Sequence, residues 1–315
     1  MGSVCFLLTS VGRRVELVRH FLSYAEEHPG RLRVLGTEID PHAPAAQLLG
    51  DHVRLVPRSD EAGYGSSLQQ VCEVEGVDAV FPLIDPDVSA LAGTDLPVGG
   101  LRDREVAAVV SDKWSTYEWL RGRGIPTVST WLPGQRRHDS FPVFMKPRKG
   151  SGGEDAFQVR DPDEYAFFSR YITAPVAQEL LPGPELTVDV VVGRDREVLA
   201  LAQRERLAVR GGEVSRGRLV HADEVERVVR HVVTELRPGG PITVQGMYDR
   251  HGTFRVTEIN ARMGGGLPLA IAAGVPLARL LVESWAGERP REVRNSDLSI
   301  GLHMARFDDA FYWHP

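Results

Sequence analysis

The segment 258–262 (Glu-Ile-Asn-Ala-Arg) has the side chains of a magnesium–phosphate site, at the end of a predicted β-hairpin. Side chains alternate along a strand, so Glu258, Asn260 and Arg262 are expected on one face. Mg²⁺ takes hard oxygen ligands and usually keeps substrate phosphates in its coordination shell, which a carboxylate and an amide beside a guanidinium would suit. Considered alone, a solvent-exposed hairpin with ordinary polar residues explains the segment equally well.

The residues before this segment indicate how its strand runs. Phe254 and Val256 share the alternation of Glu258, so we expect one apolar face that leads into the polar end. A turn through 250–252 places Gln245 on the neighbouring strand, roughly opposite Glu258. Gln245 is therefore a further candidate metal ligand.

A lysine and a glycine-rich loop follow an apolar strand that is predicted over 143–146. A glycine loop exposes backbone N–H groups that can wrap phosphate oxygens, and a nearby lysine supplies positive charge. The spacing is not that of a Walker P-loop, and a plain turn is the alternative for the loop alone. The residues concerned are Lys146, Gly150, Ser151, Gly152 and Gly153.

A third polar segment lies at 178–185. A strand that ends in Glu179-Leu180-Leu181 can offer backbone groups to the edge of an adenine, and Glu185 can accept hydrogen bonds from ribose hydroxyls. A solvated turn with two surface glutamates is the alternative reading of this segment.

Composition excludes some classes of function. The chain has 315 residues, of which 42% are hydrophobic and 25% charged, which suits two or three domains of a globular protein. A net charge of -6 argues against general nucleic-acid affinity, although 194–218 is rich in arginine. Cys5 and Cys72 do not form a disulfide framework, and no apolar run has the length of a membrane span. The N-terminus lacks the features of a signal peptide, so we expect a cytoplasmic protein without membrane or nucleic-acid partners.

The first 100 residues alternate apolar strands with amphipathic helices, which predicts a parallel sheet with helices on its faces. The first turn, 9–14, has one glycine and is not a dinucleotide fingerprint. A helix N-terminus there could bind an anion such as a substrate carboxylate, or it could be only a capped turn. Asp85 and Asp87 follow a strand end, where they could face a ligand or cap the next helix.

The remaining two-thirds predict an α+β region with an antiparallel sheet. A helix is expected over 111–121, with Ser111 or Asp112 as its cap, and a long strand pair over 186–202. A final helical region is expected over 267–286. It follows three glycines, 264–266, that could admit a substrate close to the backbone or simply begin the helix.

In chain order these motifs resemble the ATP-grasp superfamily, most closely its single-copy, carbamoyl-phosphate-synthase-like carboxylate–amine ligases. The resemblance includes the opening segment 8–17 and the tail 301–307, and it runs over nearly the whole chain. It implies a fold of α/β plus α+β class, in which a Rossmann-like pre-ATP-grasp domain precedes a two-lobed ATP-grasp fold. The expected domains are residues 1–110 (pre-ATP-grasp), 111–180 (small lobe), 181–290 (large lobe) and 291–315 (a tail that packs on the core).

The resemblance also implies a role for each motif residue. Lys113, Lys146 and the glycine loop contact the phosphates of ATP, the main chain at Glu179 and Leu181 reads adenine, and Glu185 holds the ribose. Arg262 lies against the γ-phosphate, and Arg210 helps to bind phosphate or substrate. The implied ligands of Mg²⁺, or of Mn²⁺ in its place, are Gln245, Glu258 and Asn260.

Two residues depart from the family pattern. Glu154 and Asp155 stand in the glycine loop where the family often has a serine and a basic residue. Their negative charges would repel the phosphates of an approaching nucleotide. Either these side chains point away, or the loop closes only with Mg²⁺, or ATP binding is impaired. Ala261 replaces a usual proline, which should loosen the turn slightly.

The implied activity is ATP-dependent activation of a small carboxylate, expected to be an amino acid, as an acyl phosphate that an amine then attacks. ADP and phosphate are released, the partners are small molecules, and a homo-oligomer is possible. Two alternatives remain open at this point: a small-molecule kinase on the same fold, and a nucleotide-binding regulator without turnover.

Overall fold

A computed structural model describes residues 2–135, 140–150 and 152–313, and within these ranges the chain forms three β-sheets. The first sheet is parallel, with strand order β3-β2-β1-β4. Its strands are β1 (Val4–Thr9), β2 (Leu32–Glu38), β3 (Val53–Leu55) and β4 (Ala79–Pro82), and its helices are α1 (Val15–Glu27), α2 (Pro44–Leu49), α3 (Tyr64–Glu75) and α4 (Asp85–Leu91).

The first strand is buried on both faces, which explains its uninterrupted apolar sequence. Phe6 and Leu8 pack into a core shared with α1 and the C-terminal helices. Cys5 and Leu7 pack on the opposite side against α3. Both cysteines, Cys5 and Cys72, are buried free thiols, and burial raises the pKa of the Cys72 thiol to about 11.

Two capped helices link the first sheet to the second. They are α5 (Arg104–Val110) and α6 (Lys113–Gly122). The Asp112 carboxylate accepts hydrogen bonds from the backbone N–H groups of Trp114 and Ser115 at 3.0 and 3.1 Å, so Asp112 is the N-cap of α6. Lys113 is consequently the first residue of a helix whose start is held by its neighbour.

The second sheet is antiparallel, with order β5-β8-β6-β7 and helix α7 beside it. Its elements are β5 (Thr130–Trp131), β6 (Val143–Pro147), β7 (Phe157–Val159), α7 (Pro162–Tyr171) and β8 (Pro175–Glu179). One small core, which includes Trp131, Met145 and Ile172, holds this unit together.

The third sheet is antiparallel, with order β13-β12-β9-β10-β11-β14. Its strands are β9 (Glu185–Val192), β10 (Val198–Arg210), β11 (Glu213–Val220), β12 (Ile242–Tyr248), β13 (Phe254–Asn260) and β14 (His303–Ala305). Helix α8 (Asp223–Leu236) packs its valine-rich stripe on one face. Strand β14 pairs with β11, so the C-terminal tail forms one edge of this sheet.

The predicted final helical region is two helices, α9 (Leu267–Ala272) and α10 (Leu277–Trp285). Gly274 adopts φ +117°, and Pro276 has no N–H to donate within a helix, so the chain cannot continue as one helix through this point. Both helices pack between the first and third sheets. In the described part of the chain, no helix combines the length and apolarity that crossing a membrane requires.

A buried ion pair lies inside the third sheet. Arg204 and Asp189 are 2% and 3% exposed, and their side chains meet through Nε–Oδ2 at 2.5 Å and Nη2–Oδ1 at 3.0 Å. A Cβ added at Gly266 would lie 2.1 Å from Arg204 Nη1, and one at Gly264 would lie 2.8 Å from Asp189 Oδ1. Gly264 and Gly266, which follow the 258–262 segment, therefore make room for this pair.

Candidate functional site

One cleft, with a cavity volume of ≈ 380 Å³, lies between the second and third sheets. Its lining draws on α6, on β6 and the glycine loop after it, on the end of β8, and on β9, β12 and β13. Twelve residues that were predicted from the sequence line it: Lys113, Lys146, Gly150, Gly152, Gly153, Glu179, Leu181, Glu185, Gln245, Glu258, Asn260 and Arg262.

Two predicted residues are not among the lining residues. Arg210 is more than half exposed at the end of β10 and pairs with Asp308, with Nη1 3.1 Å from Oδ2. The structure therefore places Arg210 on the surface rather than in the cleft. Ser151 lies outside the described residues.

We expected the apolar and the polar residues of β13 to share one face of the strand, and this prediction is wrong. Gln245 does pair with Glu258, as predicted, but the next pair is Gly246 with Val256, so Thr257 is an extra residue in β13. Such a bulge shifts the alternation of side chains by one residue. Phe254 and Val256 pack in the core, whereas Thr257 and Glu258 both line the cleft.

Beyond this bulge the alternation resumes with the opposite phase. Ile259 and Ala261 pack in the core, and Asn260 and Arg262 line the cleft. The bulge thus aims the polar residues at the cleft while the strand stays packed on the protein core. Bulges are over-represented beside active sites for this reason.

Both lysines line the cleft, and one of them contacts the glycine loop. Lys113 Nζ donates a hydrogen bond to the Gly150 carbonyl at 2.7 Å and lies 3.8 Å from Glu258 Oε1. Burial lowers the pKa of Lys146, and the nearby charge of Lys113 lowers it further, whereas Glu258 and Glu185 raise it. The cleft thus holds two lysine ammonium groups, which interact with the glycine loop and with the carboxylates of Glu258 and Glu185.

The far end of the cleft has one charged group that sequence reasoning missed. Arg206 lines the cleft, and its Nη1 lies 2.5 Å from Glu185 Oε1. The antiparallel pairing of β9 with β10 sets Glu205 opposite Leu186, which brings the next residue, Arg206, beside Glu185. The hairpin was predicted, so its alternation was the signal that could have found Arg206.

The segment expected to face adenine is partly occupied by the chain itself. The Glu179 N–H donates to the Ser129 carbonyl at 3.0 Å, and the Glu179 carboxylate lies 3.6 Å from Arg250. Leu181 is buried, and Phe144 and Met247 also line the cleft. These apolar walls suit a flat aromatic group, and sequence reasoning had singled out Leu181 but neither Phe144 nor Met247.

The acidic residues of the glycine loop differ in position. Glu154 lines the cleft, whereas Asp155, at φ +50°, does not. The loop also contacts the β10–β11 hairpin, since a Cβ added at Gly212 would lie 2.5 Å from the Gly152 Cα. The glycine loop and the β10–β11 hairpin are therefore in backbone contact.

Arg262 connects the cleft to the first sheet. Its Nε and Nη2 donate to the two carboxylate oxygens of Asp85 at 2.8 and 2.9 Å. Neither candidate aspartate caps α4: Asp85 binds Arg262, and buried Asp87 accepts a hydrogen bond from Thr9 Oγ1 at 2.6 Å.

The first turn, 9–14, was a candidate anion site. Its Gly12 N–H donates a hydrogen bond to the Glu38 carboxylate at 2.6 Å, so a carboxylate of the protein itself already binds this N–H group.

The donor set suits a cation that binds together with phosphate. The described residues contain no cluster of three or more His, Cys, Asp or Glu side chains that could hold a metal by themselves. Gln245, Glu258 and Asn260 offer hard oxygen atoms with a single carboxylate. Mg²⁺ is commonly held by one or two carboxylates plus substrate phosphates, so these residues fit it.

Comparison with known proteins gives two family matches. Residues 6–96 match the PylC-like N-terminal domain, and residues 173–306 match a family described as ATP-grasp in the biosynthetic pathway with Ter operon.

Two curated relatives are both uncharacterised proteins. One, from Mycoplasma genitalium, is 23% identical over 57% of this chain, and the other, from Mycoplasma pneumoniae, is 30% identical over 20%. The aligned regions span 64% and 22% of those proteins, which is less than two thirds of each.

Solved structures share the fold at low sequence identity. The biotin carboxylase domain of Hydrogenobacter thermophilus 2-oxoglutarate carboxylase, in complex with MgADP, ADP and bicarbonate, has a TM-score of 0.75 and 15% identity, covering 95% of this chain and 73% of that one. An L-amino acid ligase from Bacillus licheniformis has a TM-score of 0.69 and 18% identity, covering 92% and 78%.

The N5-carboxyaminoimidazole synthetase of Staphylococcus aureus, complexed with ADP, has a TM-score of 0.73 and 14% identity, covering 92% of this chain and 80% of that one. All three similarities extend over more than nine-tenths of this chain and so include both matched domains. Two parts of the chain thus match a PylC-like N-terminal domain model and an ATP-grasp family model in that order, and the fold as a whole is similar to those of the three solved structures.

Proposed function

We propose that this protein is an ATP- and Mg²⁺-dependent carboxylate–amine ligase that releases ADP and phosphate. The observation that carries the proposal is the convergence of two lysines, a glycine loop and the Glu258–Asn260–Arg262 segment on one cleft. The structural neighbours support it, since one is an L-amino acid ligase and two were solved with adenine nucleotides. We propose a small carboxylate, with an amino acid as the first choice, and an amine as its substrates.

In this proposal the cleft divides into a base end and a phosphate end. The apolar walls and the segment at 179–181 take the adenine, and Glu185, held by Arg206, takes the ribose. Lys113, Lys146 and the loop N–H groups take the phosphates. The residues that would hold Mg²⁺, or Mn²⁺, are Gln245, Glu258 and Asn260.

The chemistry follows from where the charges lie. A carboxylate oxygen of the substrate attacks the γ-phosphorus of ATP, and the resulting acyl phosphate is attacked by the amine, which expels phosphate. The first step needs alignment and charge neutralisation more than covalent assistance from the protein. A bound Mg²⁺ supplies Lewis-acid neutralisation of the phosphate charge. Arg262, oriented by Asp85, provides fixed positive charge at the end of the cleft nearest the first sheet.

The experiment is a screen of pooled amino acids and amines with ATP and Mg²⁺, read as phosphate release and followed by mass analysis. A ligase requires both an acid and an amine for ADP formation, and its product has the mass of the two joined with loss of water. ADP formation from one substrate alone, with a phosphorylated product, would instead identify a kinase. If no pool raises ADP above background while ATP still binds, the nucleotide-binding regulator replaces the ligase.

The lowered pKa of Lys146 predicts a pH dependence of ATP binding. Only the ammonium form attracts phosphate, and burial lowers the pKa of this lysine from 10.5. The dissociation constant for ATP should therefore rise as the pH increases through that lowered pKa. Lys146→Arg should bind ATP with a flatter profile, because a guanidinium stays protonated over this range. Equal profiles for the two proteins, measured by calorimetric titration, would remove Lys146 from the phosphate site.

A further inference from the structure

A second group of arginines lies beyond Arg262, where three parts of the chain meet. Arg14 follows β1, Arg306 follows β14, and both reach Glu213 at the start of β11. Arg14 Nη1 lies 2.7 Å from Glu213 Oε1, and Arg306 Nη1 lies 3.1 Å from Glu213 Oε2. One carboxylate therefore bridges two guanidinium groups that come from opposite ends of the sequence.

The arginines are enclosed, whereas the carboxylate is not. The side chains of Arg14 and Arg306 are 15% and 18% exposed, but that of Glu213 is 46% exposed. Within the described part of the chain, buried Arg306 Nε has no hydrogen-bond acceptor. Two largely buried cations thus face exposed carboxylates: Glu213, which lies between them, and Glu16, whose Oε2 lies 3.2 Å from Arg306 Nη2.

This arginine pair is continuous with the proposed phosphate end of the cleft. Arg306 Nη2 donates to the Gly265 carbonyl at 2.6 Å, and a Cβ added at Gly265 would lie 2.3 Å from Arg14 Nη1. Gly265 follows Arg262 by three residues, and Arg14 Nη2 donates to the carbonyl of Leu83 at 3.4 Å, two residues before Asp85. The arginine pair therefore lies directly on the segment that follows Arg262, and a substrate at Arg262 is next to it.

Glu213 also sits on a segment that touches the phosphate loop. Gly211 and Gly212 turn the β10–β11 hairpin with φ of +58° and +78°, and Gly212 packs on Gly152. The residue next to Glu213 is therefore in contact with the glycine loop.

We propose that Arg14 and Arg306 form the subsite for a carboxylate of the substrate that is not consumed in the reaction, and that Glu213 occupies this subsite until substrate replaces it. The proposal rests on the proposed ligase function and adds a substrate class to it: an acid with two carboxylates, such as a diacid or an acidic amino acid, that keeps one of them free when the other reacts. The reacting carboxylate belongs nearer Arg262, because two charge-assisted hydrogen bonds from an arginine pair would reduce its nucleophilicity.

The test uses propionate as the probe and propionamide, which has the same shape without the charge, as its control. Glu213→Ala should bind propionate about tenfold more tightly than the unmodified protein in calorimetric titration, because the internal competitor is gone. Glu213→Gln should behave in the same way, which guards against loss of folding in the first variant. Propionamide should show no such difference, and adding Arg14→Ala to Glu213→Ala should abolish the gain.

Equal propionate affinity in the Glu213 variants and the unmodified protein would overturn the proposal, as would a gain that persists without Arg14. A purely structural ion cluster predicts that outcome together with a lower melting temperature in each single variant. The titration needs neither ATP nor turnover, so its failure is distinguishable from failure of the ligase proposal. With a substrate in hand, Arg14→Lys should raise the KM for that acid about tenfold while the KM for ATP stays unchanged.

Discussion

Replacing Glu258 by glutamine is expected to reduce ATP turnover by on the order of 10² or more while the protein stays folded. Glutamine keeps the shape of the side chain but removes the only carboxylate among the three proposed metal donors, which are Gln245, Glu258 and Asn260. It also removes the negative charge 3.8 Å from Lys113 Nζ. The loss of the carboxylate ligand weakens metal binding, and with it the neutralisation of phosphate charge that the proposed reaction requires.

The measurement is ADP release at saturating ATP and Mg²⁺, with circular dichroism and melting temperature as checks of folding. Glu235→Gln is the matched control, because this glutamate lies on α8, is 38% exposed and pairs only at the surface with Arg123 at 3.2 Å. It should keep full turnover. A Glu258→Gln protein with turnover within about threefold of the unmodified enzyme would refute the proposed metal site.

Asp189→Ala is expected to lower the free energy of unfolding by about 3–5 kcal/mol, because it leaves the guanidinium of Arg204 buried without its partner. The arginine cannot move to solvent easily, since it is 2% exposed and lies against Gly266. Urea unfolding followed by circular dichroism measures the change.

The control for this prediction removes both charges. Asp189→Leu combined with Arg204→Met should cost clearly less than Asp189→Ala alone, because replacing a buried ion pair by apolar side chains is often nearly neutral. If the double variant is instead the less stable of the two, the pair contributes more than its desolvation costs. If Asp189→Ala costs less than about 1 kcal/mol, water reaches Arg204 and the site is not closed.

The sequence by itself indicated which local segments could carry chemistry. Residue type and spacing singled out the glycine loop, Lys146 and the Glu258–Arg262 segment as candidates, and the family resemblance added Lys113. The parallel sheet at the N-terminus was predictable too, since its buried strands are continuous apolar runs. Hairpin geometry even paired Gln245 with Glu258 correctly.

Other features depend on contacts between residues far apart in the chain. The bulge at Thr257 is a property of how β13 pairs with β12, so alternation within one strand predicted the wrong phase. The break in the C-terminal helical region was signalled by Gly274 and Pro276, but apolar periodicity continues across it and hid the break.

Arg210 shows how a basic residue can be misassigned. The family resemblance implied a site role for it, and its position depended on the tail, which supplies Asp308 as its partner. Arg14 and Arg306 show the converse, since both lie in segments that carry the family resemblance, 8–17 and 301–307, but neither was assigned a role and they are 292 positions apart. The sequence determined the chemistry of each segment because that chemistry is local. Only the tertiary structure decided which side chains share a cavity, because a sheet brings together residues that the chain holds apart.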